Sequence, residues 1–342
     1  MGNELPGGPL GGRRITLRAI AAQAGVSVMT ASRALANRGR IAAATRNGVL
    51  QIARDLGYRP DPEITKLMHH LRARRTGTFQ SMLFGLTTHR PNVREAYFRA
   101  LVAGAEAQAA RRGYGFEVVS VSPTPADWAP LQRILQSRGA EGILLLPQSA
   151  PVDLTGLLAW AEFSVVAASA SATGPRVHRV IPHHFANTLL LCRTLAQHGH
   201  RRIGLVIAAD QDIRTEHGFT AAVTWHGLNE APHFVPPLVK HGDPARALRA
   251  WFVRERPDVI ITNEPRSARE CARHLGCRIS GPPRFVVTSI APDRRDSLGG
   301  IDERPAAVGI AAVDQLASMV ERRVRGLPES PASIQLDGCW AE

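Results

Sequence analysis

Residues 15–37 read ITLRAIAAQAGVSVMTASRALAN, and they decide the fold of the amino-terminal part of the chain. The first apolar side chains recur at the i, i+3, i+4 and i+7 spacing of one helix face, at Leu17, Ile20, Ala21 and Ala24. This spacing predicts a short helix over residues 16–24, which Gly25 ends. Ser27 predicts the start of a second helix over 28–35, because its hydroxyl can cap the first turn. Two short helices joined by a glycine turn indicate a helix-turn-helix motif.

A third helix is predicted over residues 44–56, and Gly57 ends it. Its apolar stripe consists of Val49, Ile52, Ala53 and Leu56. Three short helices can form a plain packing module or a DNA-binding unit. In a helix-turn-helix, the second helix enters the major groove and its first residues meet the base edges.

The second helix carries side chains that suit such a role. Arg33 can donate a bidentate pair of hydrogen bonds to guanine, whereas Val28 and Met29 can contact thymine methyl groups. Hydroxyl groups near helix starts suit phosphates, which fix the register of a protein on the duplex. The candidate phosphate contacts are Thr16, Ser27, Thr30 and Ser32.

Positive charge is concentrated at the amino-terminal end. Residues 1–75 carry 13 basic and 4 acidic side chains, whereas residues 76–342 carry 29 and 25. A basic end attached to a near-neutral body points to a polyanion, most simply nucleic acid. Because only two of the 42 basic residues are Lys, GC-rich coding explains the choice of Arg but not its uneven distribution.

Composition excludes several classes of protein. The chain has 342 residues, 44% hydrophobic and 21% charged, which is typical of two or three soluble globular units. No apolar run approaches the roughly 18 residues of a membrane span, and residues 1–12 do not resemble a signal peptide, so we expect a cytoplasmic location. The four cysteines form no C-x-x-C pair and have no histidine at metal-finger spacing, so neither a metal nor another cofactor is predicted.

From about residue 80 onward, apolar strands alternate with helices. Strands are predicted at 82–87, 117–121, 142–146, 163–168, 203–208, 259–262 and 285–289, and helices at 94–112, 126–138, 186–197, 214–226, 244–254 and 266–275. Continuous apolar strands separated by helices indicate parallel sheets covered on both faces, with enough units for two lobes. Ligands of such sheets bind beyond the carboxyl ends of the strands, which points to the cleft between the lobes.

Residues 15–37, with Ala44-Thr45-Arg46 and the LGYRP sequence at 56–60, closely resemble the headpiece of the lactose-repressor (LacI/GalR) family of bacterial transcription regulators. The body is similar to the core of the same family at GHRRI (199–203), Arg214 with Gly218-Phe219, PDVI (257–260) and GIDERPAAVG (300–309). The resemblance covers about residues 14–340. It implies an all-α helix-turn-helix headpiece and an α/β periplasmic-binding-protein-like core of two parallel-sheet lobes. Two departures are Ala42, where the family usually has a capping Ser, and Gly48 within the third helix.

The resemblance also implies a division of the chain. It comprises a disordered tail at 1–13, the headpiece at 14–59, a hinge helix or linker at 60–78, and a two-lobed core for effector binding and dimerisation at 79–342. Since the chain of such proteins crosses between the lobes three times, residues 80–170 and 303–326 are expected in one lobe. Residues 176–300 and the tail are expected in the other.

Leu67 is expected to act within the linker. In the resembled family, paired hinge helices enter the minor groove at the operator centre and each inserts a Leu; counting from the LGYRP sequence places it at Leu67. An apolar wedge of this kind unstacks a base step and kinks the duplex. The family's usual Asn-Arg-x-Ala after the proline is replaced by Asp61-Pro62-Glu63-Ile64, which is a departure in the hinge itself.

The candidate effector residues come from the resemblance as well. Arg214 occupies the position of an Arg that holds ligand oxygens, and Glu264 occupies that of an Asp that binds sugar hydroxyls. His183 replaces a usual Asp within the run Pro182-His183-His184-Phe185. The remaining candidates, each of which can also be an ordinary loop or interlobe residue, are Asp302, Glu303 and Thr87.

These features favour a sequence-specific, DNA-binding transcriptional regulator of the bacterial cytoplasm. It is expected to be a repressor that binds a palindromic operator as a homodimer, with a tetramer as the alternative assembly. A small effector, such as a sugar or a related polar metabolite, would control it from the interlobe cleft. A sugar-like solute-binding protein without a DNA role is the alternative, and the complete headpiece opposes it. An enzyme is not expected, because no G-x-S-x-G, Walker, H-E-x-x-H or dinucleotide motif occurs.

Overall fold

The computed structural model describes residues 17–35, 41–56, 81–90, 95–122, 124–240, 244–290 and 298–341. The chain separates into two compact units, Met1–Thr76 and Gly77–Glu342. Each unit is considered on its own below. Among the described residues, no helix combines the length and the apolar character that crossing a membrane requires.

The described part of the first unit is a cluster of three helices. They are α1 (Leu17–Gln23), α2 (Val28–Leu35) and α3 (Ala43–Asp55), each within one residue of its predicted bounds. Their buried core consists of Ile20, Ala21, Ala31, Ala34, Val49 and Ala53. Four of these six residues are alanines, so the helices pack closely around a small apolar volume. Ala42 precedes α3 without a side-chain cap, which is the weakness that the missing Ser predicts.

The second unit alternates strands and helices. Its strands are β1 (Met82–Thr87), β2 (Gly115–Ser120), β3 (Ala140–Leu145), β4 (Val152–Asp153), β5 (Ser164–Ala167), β6 (Ala172–Gly174), β7 (His178–Pro182), β8 (Ile203–Ala208), β9 (Leu238–Lys240), β10 (Val259–Thr262), β11 (Arg284–Val287), β12 (Gly300–Asp302), β13 (Ser333–Leu336) and β14 (Cys339–Ala341). Its helices are α4 (Ala96–Arg111), α5 (Leu131–Ser137), α6 (His184–Gln197), α7 (Ala209–Arg214), α8 (Gly218–Asn229), α9 (Pro244–Glu255), α10 (Pro265–Leu275) and α11 (Pro305–Arg322).

The strands form two main sheets, which define two lobes. The sheet of the first lobe has the order β13-β7-β5-β3-β1-β2, and that of the second has the order β14-β12-β11-β10-β8-β9. The first sheet is parallel throughout, and β14 is an antiparallel edge strand on the otherwise parallel second sheet. The expectation of two parallel-sheet lobes is therefore confirmed.

Helices cover both faces of each sheet, because successive strand side chains point to opposite sides. In β1, Leu83 packs in the same apolar cluster as α4 and α11, whereas Phe84 and Leu86 pack with α5. The second sheet repeats this arrangement, with α6 and α8 on one face and α9 and α10 on the other. Apolar residues on both sides of one strand explain why its sequence is a continuous apolar run.

Several sequence boundaries were wrong, each for a local reason. The predicted helix 126–138 is divided into a short 3-10 helix at Pro125–Asp127 and α5, with Pro130 at the junction. The predicted helix 214–226 is also divided, because Glu216 and His217 adopt left-handed backbone conformations between α7 and α8. Strands β4, β6, β7, β9, β12, β13 and β14, which are all five residues or shorter, were missed.

The chain passes between the lobes three times, as expected, but two boundaries differ from the prediction. The first crossover is His183, between β7 and α6; the second is 303–304, between β12 and α11; the third is 337–338, between β13 and β14. Placing residues from 176 onward in the second lobe was therefore wrong, because β7 pairs with β5 and β13 in the first sheet. The tail likewise contributes β13 to the first lobe before β14 joins the second.

Candidate nucleic-acid interface and interlobe cleft

A tight turn between α1 and α2 sets the position at which α2 begins. Gly25 has a φ of +64°, a conformation that an L side chain strains. The backbone N–H groups of Gly25 and Val26 donate to the carbonyls of Ala22 and Ala21 at 3.3 and 3.0 Å, which closes the end of α1. Glycine at this position thus lets the chain reverse within three residues.

Ser27 caps α2, as the sequence predicts. The backbone N–H of Thr30 donates to the Ser27 Oγ at 3.0 Å, and the two side-chain hydroxyls lie 2.8 Å apart. The capping bond satisfies one of the free donors of the first turn. Val28, the next residue, is 42% exposed. The start of α2 therefore presents an apolar side chain and a hydroxyl pair to solvent.

The other candidate DNA contacts are not described. The side chains of Met29, Ser32 and Arg33 lie outside the described part of the chain, although the backbone of α2 is described. Thr16 and Leu67 lie outside the described residues altogether. Their roles as base, phosphate and minor-groove contacts remain predictions.

Charged side chains from both lobes approach one another beyond the carboxyl ends of the strands. Glu95 follows β1 in the first lobe, and its carboxyl interacts with the Arg214 guanidinium and the Glu264 carboxylate of the second lobe. Arg214 follows β8 through α7, and Glu264 follows β10. This is the place where a doubly wound sheet binds ligands. We call the group of Glu95, Tyr97, Arg214, Glu264 and Glu303 the interlobe cleft.

Arg214 holds a donor without an acceptor. One of its terminal nitrogens, Nη2, donates to the Oε1 of Gln211 one turn earlier in α7. Its Nε is buried and has no hydrogen-bond partner among the described residues. A buried donor that is left unpaired costs free energy, so a ligand oxygen at this point would be favourable.

The two facing carboxyls share an unfavourable environment. Burial raises the pKa of Glu95, and the Arg214 guanidinium lowers it. Burial also raises the pKa of Glu264, the Glu95 carboxylate raises it further, and the guanidinium groups of Arg266, Arg214 and Arg269 oppose this. The two carboxyls of the cleft are therefore opposed by Arg214 and, at Glu264, by Arg266 and Arg269 as well.

Glu303 lies at the second crossover and connects the cleft to α6. It is 6% exposed, and its Oε1 lies 3.2 Å from the Nδ1 of His184 at the start of α6. On the first-lobe side it faces Tyr97. Burial raises the pKa of the Tyr97 phenol well above its ordinary range, and the carboxylates of Glu303 and Glu95 add to this.

Three candidate effector residues use their polar groups within the protein. The Thr87 hydroxyl, 1% exposed, donates to the Pro147 carbonyl at 2.7 Å. The Oδ1 of Asp302 accepts the backbone N–H of Arg304 at 2.8 Å. The Nδ1 of His183 lies 3.2 Å from the Oδ1 of Asp337. These bonds give each side chain a structural task, and a role in effector binding remains a prediction for each.

Sequence reasoning did not select Glu95 and Tyr97. The signal was available, because Glu95 and Tyr97 follow a strand that ends in Thr87, at the carboxyl edge of the sheet. Residues 91–94, which lie outside the described ranges, separate this segment from the strand, and no charged or aromatic motif marks it in the sequence.

The described residues show no further chemical centre. They contain no group of three or more His, Cys, Asp or Glu side chains that could hold a metal ion. The four cysteines are free thiols, of which Cys192 and Cys271 are buried. Burial raises the pKa of the Cys192 thiol to about 12 and that of Cys271 to about 11, so both are unreactive at neutral pH.

Two family models match the chain. The model described as bacterial regulatory proteins, lacI family, matches residues 16–61. The model described as periplasmic binding proteins and sugar binding domain of LacI family matches residues 86–283, more than half of the chain.

Known regulators resemble the chain at low identity. It is 24% identical to the HTH-type transcriptional repressor CytR of Escherichia coli K12 over 224 residues, which cover 64% of this chain and 62% of CytR. It is 25% identical to the HTH-type transcriptional regulator AglR of Rhizobium meliloti over 254 residues, 72% of this chain and 68% of AglR. The chain therefore spans less than two thirds of the length of the CytR repressors that it matches.

Solved structures share the fold. A complex of the transcriptional regulator CelR with cellobiose aligns with a TM-score of 0.56 and 19% identity, covering 96% of this chain and 99% of CelR. The Lac repressor dimer bound to operator and the anti-inducer ONPF aligns with a TM-score of 0.52 and 18% identity, covering 96% and 98%. At these identities the likeness concerns the fold alone.

Proposed function

Because the chain belongs to the lacI family of bacterial regulatory proteins, we propose that it is a sequence-specific, DNA-binding transcriptional regulator. It binds a palindromic operator as a homodimer, and a small effector in the interlobe cleft changes its affinity for DNA by a coupling free energy. It works in the bacterial cytoplasm at the nucleoid, and it acts as a repressor. No catalytic step is part of this function.

The geometry of α1 and α2 is the observation that carries the DNA-binding proposal. A glycine turn, a Ser-capped second helix and an exposed Val28 at its start are what a recognition helix needs to approach base edges. Val28, Met29 and Arg33 read bases, and Thr16, Ser27, Thr30 and Ser32 contact phosphates. Leu67 enters the minor groove at the operator centre.

The effector is a sugar or a related polar metabolite. Arg214 offers an unpaired buried donor, and Glu264 offers acceptors for hydroxyl groups across the same space. The CelR complex, whose ligand is cellobiose, supports this class of effector for a protein of the same fold.

Selection of bound duplexes from a random DNA library tests the DNA proposal. The purified chain is used at about 0.15 M salt, which suppresses binding through phosphates alone. We expect one enriched palindrome. An Arg33→Ala variant should lose about 1–3 kcal/mol on that palindrome and relax one base position in each half-site. Arg54→Ala, which removes the same charge from the exposed end of α3, should weaken all sequences alike. Binding without any enriched sequence contradicts the proposal.

The effector proposal needs a separate measurement. Cellobiose is the first probe, followed by a panel of monosaccharides and disaccharides, with operator release as the readout. Arg214→Ala should abolish the response to whichever sugar acts on the parent, while Arg201→Ala, exposed on the same lobe, should keep it. A normal titration with Arg214→Ala would show that the cleft does not hold the effector.

A further inference from the structure

An ion pair joins side chains that belong to different lobes. Arg179 lies in β7, whose partners in the first sheet are β5 and β13. Glu216 lies in the turn between α7 and α8, and α8 packs on the second sheet. The Nη2 of Arg179 donates to the Oε1 of Glu216. We propose that this pair is an interlobe latch, which favours the arrangement of the lobes in which Arg214 faces Glu95 and Glu264.

The backbone of each partner belongs to one lobe. Arg179 pairs with Ala167 of β5 and with Ser333 of β13, so it moves with the first sheet. The turn of Glu216 leads directly into α8, where Phe219 is buried against the second sheet. A rotation of the lobes about the crossovers therefore moves the two partners relative to each other.

The Arg179 side chain is held in place on the first lobe. Its Nε donates to the Ser333 Oγ at 3.0 Å, while its Nη2 donates to Glu216. Two bonds from one planar guanidinium fix the direction of the group. The bond to Ser333 also limits how far the side chain can follow a moving partner. The first-lobe end of the latch is thus anchored to β13 as well as to β7.

A strained turn presents Glu216. Glu216 and His217 have φ values of 54° and 60°, left-handed conformations that cost free energy in residues other than glycine. Such strain persists only where the surrounding contacts compensate it. Here the Asp212 carbonyl accepts the backbone N–H of His217 at 2.8 Å, and the buried Asp212 carboxylate accepts the Thr220 hydroxyl at 3.0 Å. These bonds fix the Glu216 backbone independently of the ion pair, which reduces the entropy that the latch must overcome.

The turn also touches the start of α6. A Cβ at Gly218 would lie 3.2 Å from the His184 Cβ and 3.3 Å from the backbone nitrogen of Phe185. This close contact leaves the turn little freedom to move apart from the second lobe. Arg214, which holds the unpaired donor of the cleft, precedes Glu216 by two residues. The latch therefore acts on the segment that positions Arg214.

Exposure limits the strength of the latch. Glu216 is 66% exposed, and water and salt screen such a pair, so its removal shifts an equilibrium by up to about fivefold. A shift of this size changes the populations of two lobe arrangements in equilibrium. This inference concerns the chain without operator or effector and goes beyond the proposed regulation. The Arg138–Glu117 pair provides a matched control, because its partners are 47% and 36% exposed and both lie in the first lobe.

Energy transfer between one dye on each lobe tests the latch. The dyes are attached at Ser137→Cys on α5 and Ala196→Cys on α6, both exposed, in a chain with Cys277→Ser and Cys339→Ser. A trace of labelled chain is mixed with excess unlabelled chain of the same variant, which avoids transfer between the protomers of a dimer. Time-resolved transfer gives the distribution of interlobe distances at about 0.05 M salt, where screening is weak.

We expect a narrow distribution of distances in the parent. Arg179→Glu and Glu216→Arg should each broaden or shift it, because each places like charges together. The combined charge swap, Arg179→Glu with Glu216→Arg, should restore the parent distribution. Arg138→Glu places like charges together within the first lobe and should leave the distribution unchanged.

Three results would overturn the latch: single reversals without effect, a charge swap as broad as the single variants, or an equal change in Arg138→Glu. If Arg179→Glu does not fold because its bond to Ser333 is lost, Glu216→Gln removes the charge at an exposed position. Glu216→Gln should raise the population outside the parent's distance range by about two- to fivefold at low salt.

Salt separates an electrostatic latch from a packing effect of Glu216. The difference between the parent and Glu216→Gln should vanish at about 1 M salt, because screening then removes the attraction in the parent. An unchanged distribution in Glu216→Gln at low salt, or a difference that persists at high salt, overturns the latch. Neither operator nor effector is present, so failure here leaves the proposed function to its own tests.

Discussion

The three-helix headpiece and the two lobes are stabilised on different scales. The buried core of the headpiece contains Ile20, Val49 and four alanines, whereas the most deeply buried side chains of the lobes include Phe84, Phe163, Phe219 and Phe285. Burial of apolar surface contributes about 25 cal/mol per Å², so small side chains give the headpiece little reserve. The difference teaches that one cap or one glycine matters in the headpiece, while the lobes depend on the fit of large elements.

Of the substitutions considered, Gly309→Val in α11 should cause the largest loss of stability, and this loss falls on the first lobe. A Cβ at Gly309 would lie 2.1 Å from the Leu101 carbonyl oxygen, and one at Gly104 would lie 2.2 Å from that of Ala306. The two helices touch through these glycines, so valine must separate them at a cost of about 3 kcal/mol or more. Urea denaturation measures this cost, with Ala107→Val, exposed on α4, as the control. Equal midpoints for the two variants would refute the close contact.

Ile20→Ala tests the headpiece in the same way. Ile20 is fully buried and is one of two large side chains in its core. Its truncation should cost about 2–4 kcal/mol, which is enough to unfold a small unit. Hydrogen exchange should show loss of protection in residues 17–56 and unchanged protection in both sheets. Ile134→Ala, 47% exposed on α5, should change neither. Loss of protection in the sheets would mean that the two units do not unfold separately.

Gly48→Ala should stabilise the headpiece and so reduce the difference in stability between the headpiece and the lobes. Gly48 lies within α3, and a Cβ there would meet nothing within 4 Å. Alanine should therefore add about 1 kcal/mol through helix propensity. Gly276→Ala is the matched control, because its Cβ also has free space but its φ is +70°. That substitution should destabilise the second lobe by about 1 kcal/mol. Exchange rates in α3 and α10 measure both, and the same sign for the two would contradict this account.

The smallest expected effect is on the pH dependence of the stability of the second lobe. Hydrogen bonds from Arg193 and then His226 lower the pKa of Glu230 to about 2 from its usual 4.5. A carboxyl with a depressed pKa stabilises the fold above its usual value, and this contribution is lost as pH falls from about 4.5 towards 2. Urea midpoints over this range should therefore fall less steeply for Glu230→Gln than for the parent. Glu106→Gln, exposed on α4, should follow the parent. Parallel curves for all three would show that Glu230 does not contribute.

The sequence predicted the bounds of helices and strands correctly wherever a segment has a single hydrophobic periodicity and clear ends. The helix at 28–35 and the strands at 82–87, 203–208 and 259–262 have the predicted bounds, because each is flanked by a cap, a turn or a change of period. Strand β13 was missed, because it is exposed along most of its length. Its pairing partners in β7 also lie 154 residues earlier in the sequence. Edge strands of this kind have no continuous apolar run to reveal them.

Some residues of the interlobe cleft could likewise be predicted from the sequence, whereas others could not. Arg214, Glu264 and Glu303 were selected from motif positions, and the structure brings all three together. Glu95, Tyr97 and His184 were not selected, because their place in the cleft depends on how the lobes meet. His183 was selected as a ligand residue, but its contact with Asp337 could not be foreseen before β13 was placed in the first sheet.

The sequence by itself determined the family, the three-helix headpiece and the alternation of strands and helices, because these depend on residues close together in the chain. Only the tertiary structure decided where the chain crosses between the lobes and which charged groups face one another there. Those contacts join residues far apart in the chain: His184 and Glu303 are 119 positions apart, and His183 and Asp337 are 154 positions apart. Their strength depends on burial and distance, which arise only when both sheets are complete.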